Sequence, residues 1–275
     1  MRVVLSIIIP AFNEESRLPP YLSSVITYLE SRGSPSEIIV VDDGSQDGTA
    51  AAVQALTTGC PFLRLIPIGR NKGKGVAVRT GMLAAKGDLR LFCDADGATP
   101  IEELHRLEGA LSDDIDIVIG SRAIRNPECR VVGTLHRKYI GFVYNRLVRL
   151  LAVRGLSDTQ CGFKLFRGAA ADTLFAAQTL AGFGFDVEVL FLARKWGYAI
   201  REVPVNWKDQ PRGKVRVFRD SARMLFDLVK LRRAWAAGAY RMSLHSSRAA
   251  AGPHQPADAW PSPSPSPRPP DGGED

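Results

Sequence analysis

A chain of 275 residues with 45% hydrophobic and 24% charged content is long enough to bury a full-sized core. No apolar run reaches the ~18 residues of a membrane span, no signal-peptide pattern opens the chain, and the four cysteines form no CxxC pair, which excludes a zinc ribbon and fits a reduced, cytosolic protein. The net charge of +7 is uneven: residues 121–154 hold eight Lys/Arg against one acid and residues 201–248 twelve against four, which suits phosphorylated ligands or a polyanionic surface, or else ordinary solvated helix faces.

The first predicted strand, at 3–9, is followed by AFNEE and a helix over 15–31. The next, EIIVV at 37–41, ends on Asp42-Asp43-Gly44-Ser45, ahead of a helix over 49–57. These carboxylates have two readings: acceptors for a nucleoside's base N–H or ribose hydroxyl, or an Asx-turn with Thr49 capping the helix. A strand at 62–66 leads to Asn71-Lys72-Gly73-Lys74-Gly75 at the start of a helix over 73–85, a place suited to a phosphate or a base edge. The fourth strand, at 89–93, stops at Asp94-Ala95-Asp96-Gly97. Alternation along an extended chain puts both aspartates on one side, where a hard cation such as Mg²⁺ or Mn²⁺ offsets their repulsion; otherwise one of them caps the helix predicted over 101–111. A fifth strand is predicted at 115–119.

This alternation predicts an α/β fold, a mostly parallel sheet covered by helices on both faces. Right-handed crossovers then bring every polar cluster to the sheet's C-terminal edge, where open α/β sheets bind ligands. No GxGxxG follows the first strand and no GxxxxGK[ST] occurs, which excludes a Rossmann dinucleotide site and a P-loop.

The second half carries two amphipathic helices, at 135–151 and 218–235, whose polar faces are rich in Lys and Arg. Their apolar stripes either pack on the core or lie in a membrane interface. From residue 248 the chain is Pro/Ser/Gly-rich and is expected to be disordered. The basic excess lacks interleaved aromatics or a reading motif, so no nucleic-acid partner is expected.

In order, PAFNEE (10–15), VDDGSQDGT (41–49), NKGKGVAVRTG (71–81), DADGATP (94–100), GSR (120–122), DTQCGFKLF (158–166), FDVEVL (185–190) and VPVNW (203–207) resemble the inverting family 2 glycosyltransferases of GT-A (nucleotide-diphospho-sugar transferase) fold. Within that family the chain is most similar to the branch of dolichyl-phosphate β-glucosyltransferase and dolichol-phosphate mannose synthase, nearer the former. The likeness runs from about residue 3 to residue 231. It departs at PRGKV (211–215), where the family has GSKV, and the QxxRW of processive synthases is absent.

The resemblance implies a nucleotide-sugar donor, with UDP-glucose ahead of GDP-mannose, bound with Mg²⁺ or Mn²⁺. It implies a polyprenyl phosphate acceptor at an anionic membrane surface, with a soluble hydroxyl acceptor as the alternative. Carried over by residue, Pro10, Ala11, Phe12, Glu14, Asp42, Asp43, Lys74, Ala95, Gly97 and Lys214 bind the donor, and Asp94 and Asp96 hold the metal. Arg122 and Arg137 receive the acceptor phosphate. Asp158 and Gln160 hydrogen-bond the acceptor or sugar, or satisfy a buried turn. Asp186 is a base or only orients the substrates. The domains expected are a catalytic unit over 1–217, a basic helix over 218–247 and a tail over 248–275. With neither a span nor a signal peptide, the protein is expected to work peripherally at the cytoplasmic face of a membrane.

Overall fold

The computed structural model describes residues 2–133, 153, 155–210 and 217–240. The helix predicted at 135–151, with Arg137, lies outside these residues, as do Lys214 and the tail from 248. Strands β1 (Leu5–Ala11), β2 (Ser36–Asp42), β3 (Leu63–Pro67), β4 (Leu89–Cys93) and β5 (Ile117–Ser121) alternate with helices α1 (Leu18–Arg32), α2 (Thr49–Thr57), α3 (Lys74–Ala84) and α4 (Leu104–Gly109), the last preceded by a 3₁₀ turn, Ile101–Glu103. Then follow β6 (Val131–Val132), β7 (Phe163–Arg167), α5 (Gly168–Ala177), α6 (Phe185–Lys195), β8 (Ile200–Pro204), β9 (Trp207–Lys208) and α7 (Val217–Ala236).

The main sheet runs in the order β3-β2-β1-β4-β7-β5-β8, with a separate two-stranded ladder of β6 and β9. Every pairing is parallel except those of β7, which runs antiparallel between β4 and β5. The period-2 pattern of the strands explains the two layers of helices. Ile7 and Ile9 pack with Leu18, Leu22 and Val25 of α1 and Leu104 of α4 on one face. Ile8, between them, packs with Val78 and Met82 of α3 and with α5 and α6 on the other. Each such side chain removed from water contributes about 2 kcal/mol, and strands buried on both faces read as unbroken Ile/Val runs.

Helix α1 and strand β5 begin later than expected, for local reasons. Helix α1 begins at Leu18, not at residue 15, because Arg17 and Leu18 N–H both return to the Glu14 carbonyl in a turn, and Pro19 and Pro20 then open the helix. Strand β5 begins two residues late, because Ile115 N–H closes a turn on the Ser112 carbonyl and the Asp116 carboxylate accepts from Ala199 N–H. Strands β7 and β8 were not predicted. Lys164 is the second residue of FKLFR and interrupts a short apolar run, whose partner strands lie far off in the sequence.

Candidate active site

The C-terminal ends of β1, β2 and β4 bring the predicted clusters together. After β1 the chain turns at Asn13, whose φ of 52° lies in the left-handed region that Asn tolerates. Glu14 N–H donates to Thr49 Oγ1 at 2.6 Å, while the Glu14 carboxylate accepts from Arg17 Nε at 2.7 Å and Nη2 at 2.5 Å. After β2, Asp42 Oδ1 accepts from the Ser45 amide and hydroxyl, an Asx-turn. Thr49 does not cap α2 with its side chain; Asp47 Oδ1 accepts from the Thr49 amide instead. Asp43 accepts from Lys72 and Gly73 N–H at 2.7 and 2.8 Å, which ties the lysine-rich loop to the sheet edge. Burial raises the Asp43 carboxyl above its usual range against the pull of those two amides.

That loop is packed without slack. Gly73 has φ +104° and a Cβ there would lie 2.4 Å from the Ala181 carbonyl oxygen, while Gly75 donates its N–H to the same oxygen at 2.8 Å. Lys74, at the start of α3, is thereby aimed at the end of β4. Its Nζ lies 2.7 Å from Asp94 Oδ1 and 5.1 Å from the centre of the Phe92 ring. Burial disfavours the charged lysine, but Asp94, Asp186 and Asp96 outweigh it and raise its pKa.

Asp94 and Asp96 are more open than Glu14, Asp42 and Asp43, with side chains 36% and 27% exposed. Asp96 Oδ1 accepts from Ala98 N–H at 3.1 Å, an Asx-turn and not a helix cap. Its Oδ2 lies 3.8 Å from Arg17 Nη1, a buried nitrogen with no hydrogen-bond partner among the described residues. Burial, and then the charge of Asp94, raises the Asp96 carboxyl. Gly162 is needed for this arrangement, since a Cβ on it would stand 2.0 Å from Asp94 Oδ2.

Among the described residues no group of three or more His, Cys, Asp or Glu is placed to hold a metal. The extended chain expected at the two aspartates is replaced by a turn, with Gly97 N–H returning to the Asp94 carbonyl; two partly open carboxylates two residues apart still suit Mg²⁺ or Mn²⁺, because such ions complete their shell with water and phosphate oxygens.

On the far side of β4, Arg122 after β5 forms a fork with Asp158, Nε to Oδ2 at 2.6 Å and Nη2 to Oδ1 at 2.9 Å. The guanidinium also lies over the Trp207 ring at 5.4 Å. Glu202 on β8 fixes the segment by accepting from the Ser157 and Asp158 amides, each at 2.7 Å. Although burial opposes it, Arg122 holds the Asp158 carboxyl down to about 2, with the Gln160 amide helping. Both Asp158 oxygens are thus occupied, which favours the buried-turn reading over contact with a sugar. Gln160 Nε2 and Thr159 Oγ1 are buried without a hydrogen-bond partner among the described residues.

Asp186, in the first turn of α6, is 4% exposed and pairs with Lys164 Nζ, which also donates to the Cys161 carbonyl at 2.7 Å. Burial outweighs Lys164 and Lys74, so the Asp186 carboxyl is raised. Arg17, Gly162 and Lys164 were missed from the sequence. Glu14 and Arg17 at i,i+3 ahead of a helix was the readable signal for the first. A lysine inside the apolar run GFKLF was the signal for the last, since a buried cation demands a partner.

The family model for "Glycosyl transferase family 2" matches residues 6–175. A dolichyl-phosphate beta-glucosyltransferase from Drosophila melanogaster is 39% identical over 252 residues, 87% of this chain and 77% of that one. One from Mus musculus is 37% identical over 251 residues, 86% and 78% of the two chains. In fold, the chain is similar to glucosyl-3-phosphoglycerate synthase from Mycobacterium tuberculosis, solved with Mn²⁺, UDP and glucosyl-3-phosphoglycerate, with a TM-score of 0.64 at 20% identity, covering 83% and 80% of the two chains.

Proposed function

The chain belongs to glycosyl transferase family 2, and from that premise we propose that it moves glucose from UDP-glucose onto a polyprenyl phosphate, inverting the anomeric centre. The observation that carries the choice of acceptor is Asp186. A hydroxyl nucleophile needs a general base within reach, and the carboxylate placed for that task is sealed against Lys164. A phosphate oxygen is already anionic at neutral pH and needs no base.

On this reading Glu14, Asp42 and Asp43, with Pro10, Ala11 and Phe12, line the nucleoside end of the pocket, and the small Ala95 and Gly97 leave room for the sugar. Asp94 and Asp96 would hold Mg²⁺ or Mn²⁺, which when bound neutralises charge on the donor diphosphate. Lys74, in contact with Asp94 at 2.7 Å, shifts onto a diphosphate oxygen as donor enters. Arg122 keeps Nε and Nη2 on Asp158 and offers its remaining edge, Nη1, to the acceptor phosphate. The phosphate oxygen attacks C1 of glucose as the bond from C1 to the UDP oxygen breaks. No proton moves, UDP departs with the bonding pair, and an α-linked donor gives a β-linked lipid phosphate. The work is done by positioning two anions and neutralising the charge that develops.

A lipid phosphate is confined to a bilayer, so the reaction edge has to reach a membrane surface; no helix among the described residues is long and apolar enough to cross one. The test is a donor screen of UDP-glucose against GDP-mannose, with polyprenyl phosphate and Mn²⁺, read by product mass and anomeric coupling. The expected product is β-glucosyl phosphate lipid. Transfer only to hydroxyl acceptors would defeat the reading.

A further inference from the structure

Helix α7 has two faces with different fates. Met224, Leu228 and Leu231 are 6%, 2% and 1% exposed and join the core beside α6. At 100° per residue the opposite side holds Phe226 and Val229, 70% and 48% exposed, with Arg223, Lys230 and Arg233 also exposed. Phe226 is the most exposed large hydrophobic among the described residues, and Val229, three residues on, adjoins it on the same face. The single acid of residues 223–240, Asp227, is turned towards Gly184, where a Cβ would come 2.8 Å from its carboxylate; its side chain is 13% exposed, and Lys230 Nζ stands 4.0 Å from it with its own side chain 73% exposed. Over residues 223–240 the outward face therefore combines apolar side chains with cations and has no exposed acid.

We propose that this outward face of α7 docks on an anionic lipid bilayer, with Phe226 and Val229 entering the boundary between headgroups and acyl chains and Arg223, Lys230 and Arg233 meeting lipid phosphates. An apolar centre ringed by cations is complementary to such a surface. A second copy of the same face would instead bring like charges together. Asp227 abuts Gly184, two residues before Asp186, so the docking helix lies against α6, which carries Asp186 to the sheet edge. The inference rests on the lipid-phosphate reading of the acceptor, and it places the membrane contact not on the side of Met224, Leu228 and Leu231, which the core takes up, but on the outer face, to which Val229 of the expected apolar stripe turns.

The test is cosedimentation of the full chain with phosphatidylcholine vesicles, with and without phosphatidylserine, at low ionic strength. Binding should require phosphatidylserine and weaken with salt. Phe226→Ala and Arg233→Gln should each lower it, the latter about fivefold for the one cation removed. Transfer to a short, water-soluble prenyl phosphate should be unchanged in both variants, since neither residue touches the site. Vesicle binding by both variants equal to the parent's overturns the proposal, as does light scattering that shows Phe226→Ala dissociating an oligomer. If the parent transfers to no prenyl phosphate while Phe226→Ala still loses vesicle binding, the acceptor reading fails and the docking face stands.

Discussion

The aspartates at the end of β4 and those flanking β7 stand on one sheet edge, yet they are held in opposite ways. Asp94 and Asp96 are about a third exposed and borrow their cations: Lys74 touches one oxygen of Asp94, and Arg17 stands 3.8 Å from Asp96. Asp158 and Asp186 are 1% and 4% exposed and own theirs, Arg122 by a fork and Lys164 by a buried pair. A borrowed cation can move to an incoming diphosphate. An owned one is part of the fold. The two owned pairs differ in turn: two guanidinium bonds and main-chain amides keep Asp158 charged, whereas one lysine does not offset the burial of Asp186.

The largest test of this division is Lys164→Met, which strands Asp186 in the core. Breaking a buried pair from one side costs about 3–5 kcal/mol, so the urea midpoint should fall steeply. Lys164→Met combined with Asp186→Leu should recover most of it. A single variant as stable as the parent would place Lys164 with the borrowed cations.

Asp94→Ala should show the reverse profile. Transfer falls by about 10²–10³-fold, the scale for removing one preorganised charge-stabilising contact, while stability changes by less than about 1 kcal/mol because the pair it breaks is partly solvated. Steady-state kinetics beside urea unfolding separates the two effects.

The same division marks what could be read from the sequence. The parallel half was legible because each strand is a short, largely apolar run ending in polar residues, and β4 was placed to the residue. Asp94 and Asp96 were legible because acids at a strand's end violate the apolar pattern locally. The β7 half was not. Its strand hides a lysine whose partner, Asp186, is 22 residues further on, and Arg122 finds Asp158 across 36. Periodicity reports only near neighbours, so pairs closed by tertiary packing leave no trace beyond an odd residue in a run.

Acid unfolding sharpens the contrast between the owned pairs. The Asp158 carboxyl sits at about 2 in the fold against about 4 when unfolded. A depressed carboxyl contributes stability that is complete above about pH 4 and is lost as pH falls towards 2, on the order of 2 kcal/mol. Asp186, raised by burial, has the opposite sign: its protonated form binds the fold more tightly, so it does not add to acid loss. Urea midpoints followed from pH 6 downwards should therefore fall less steeply in Asp158→Asn than in the parent over that window.

The smallest effect belongs to Tyr240→Phe. Glu188 on α6 is wholly buried and accepts from Thr179 N–H and Oγ1, Leu180 N–H and the Tyr240 hydroxyl at 2.9, 2.7, 2.8 and 2.6 Å. Removing the hydroxyl leaves three donors and an intact ring, so the carboxylate is not stranded, and the loss should be about 1.5 kcal/mol, as for one hydrogen bond to a charged group. Turnover at saturating donor should not change, although the segment that Glu188 secures also supplies the Ala181 carbonyl to Gly75 N–H at 2.8 Å. That contact is made by main chain on both sides, and the Thr179 and Leu180 amides still fix its register on Glu188. A fall in turnover matching the fall in stability would mean that the Lys74 loop is set from the segment that follows α7, and the line between borrowed and owned charges would have to be redrawn through Glu188.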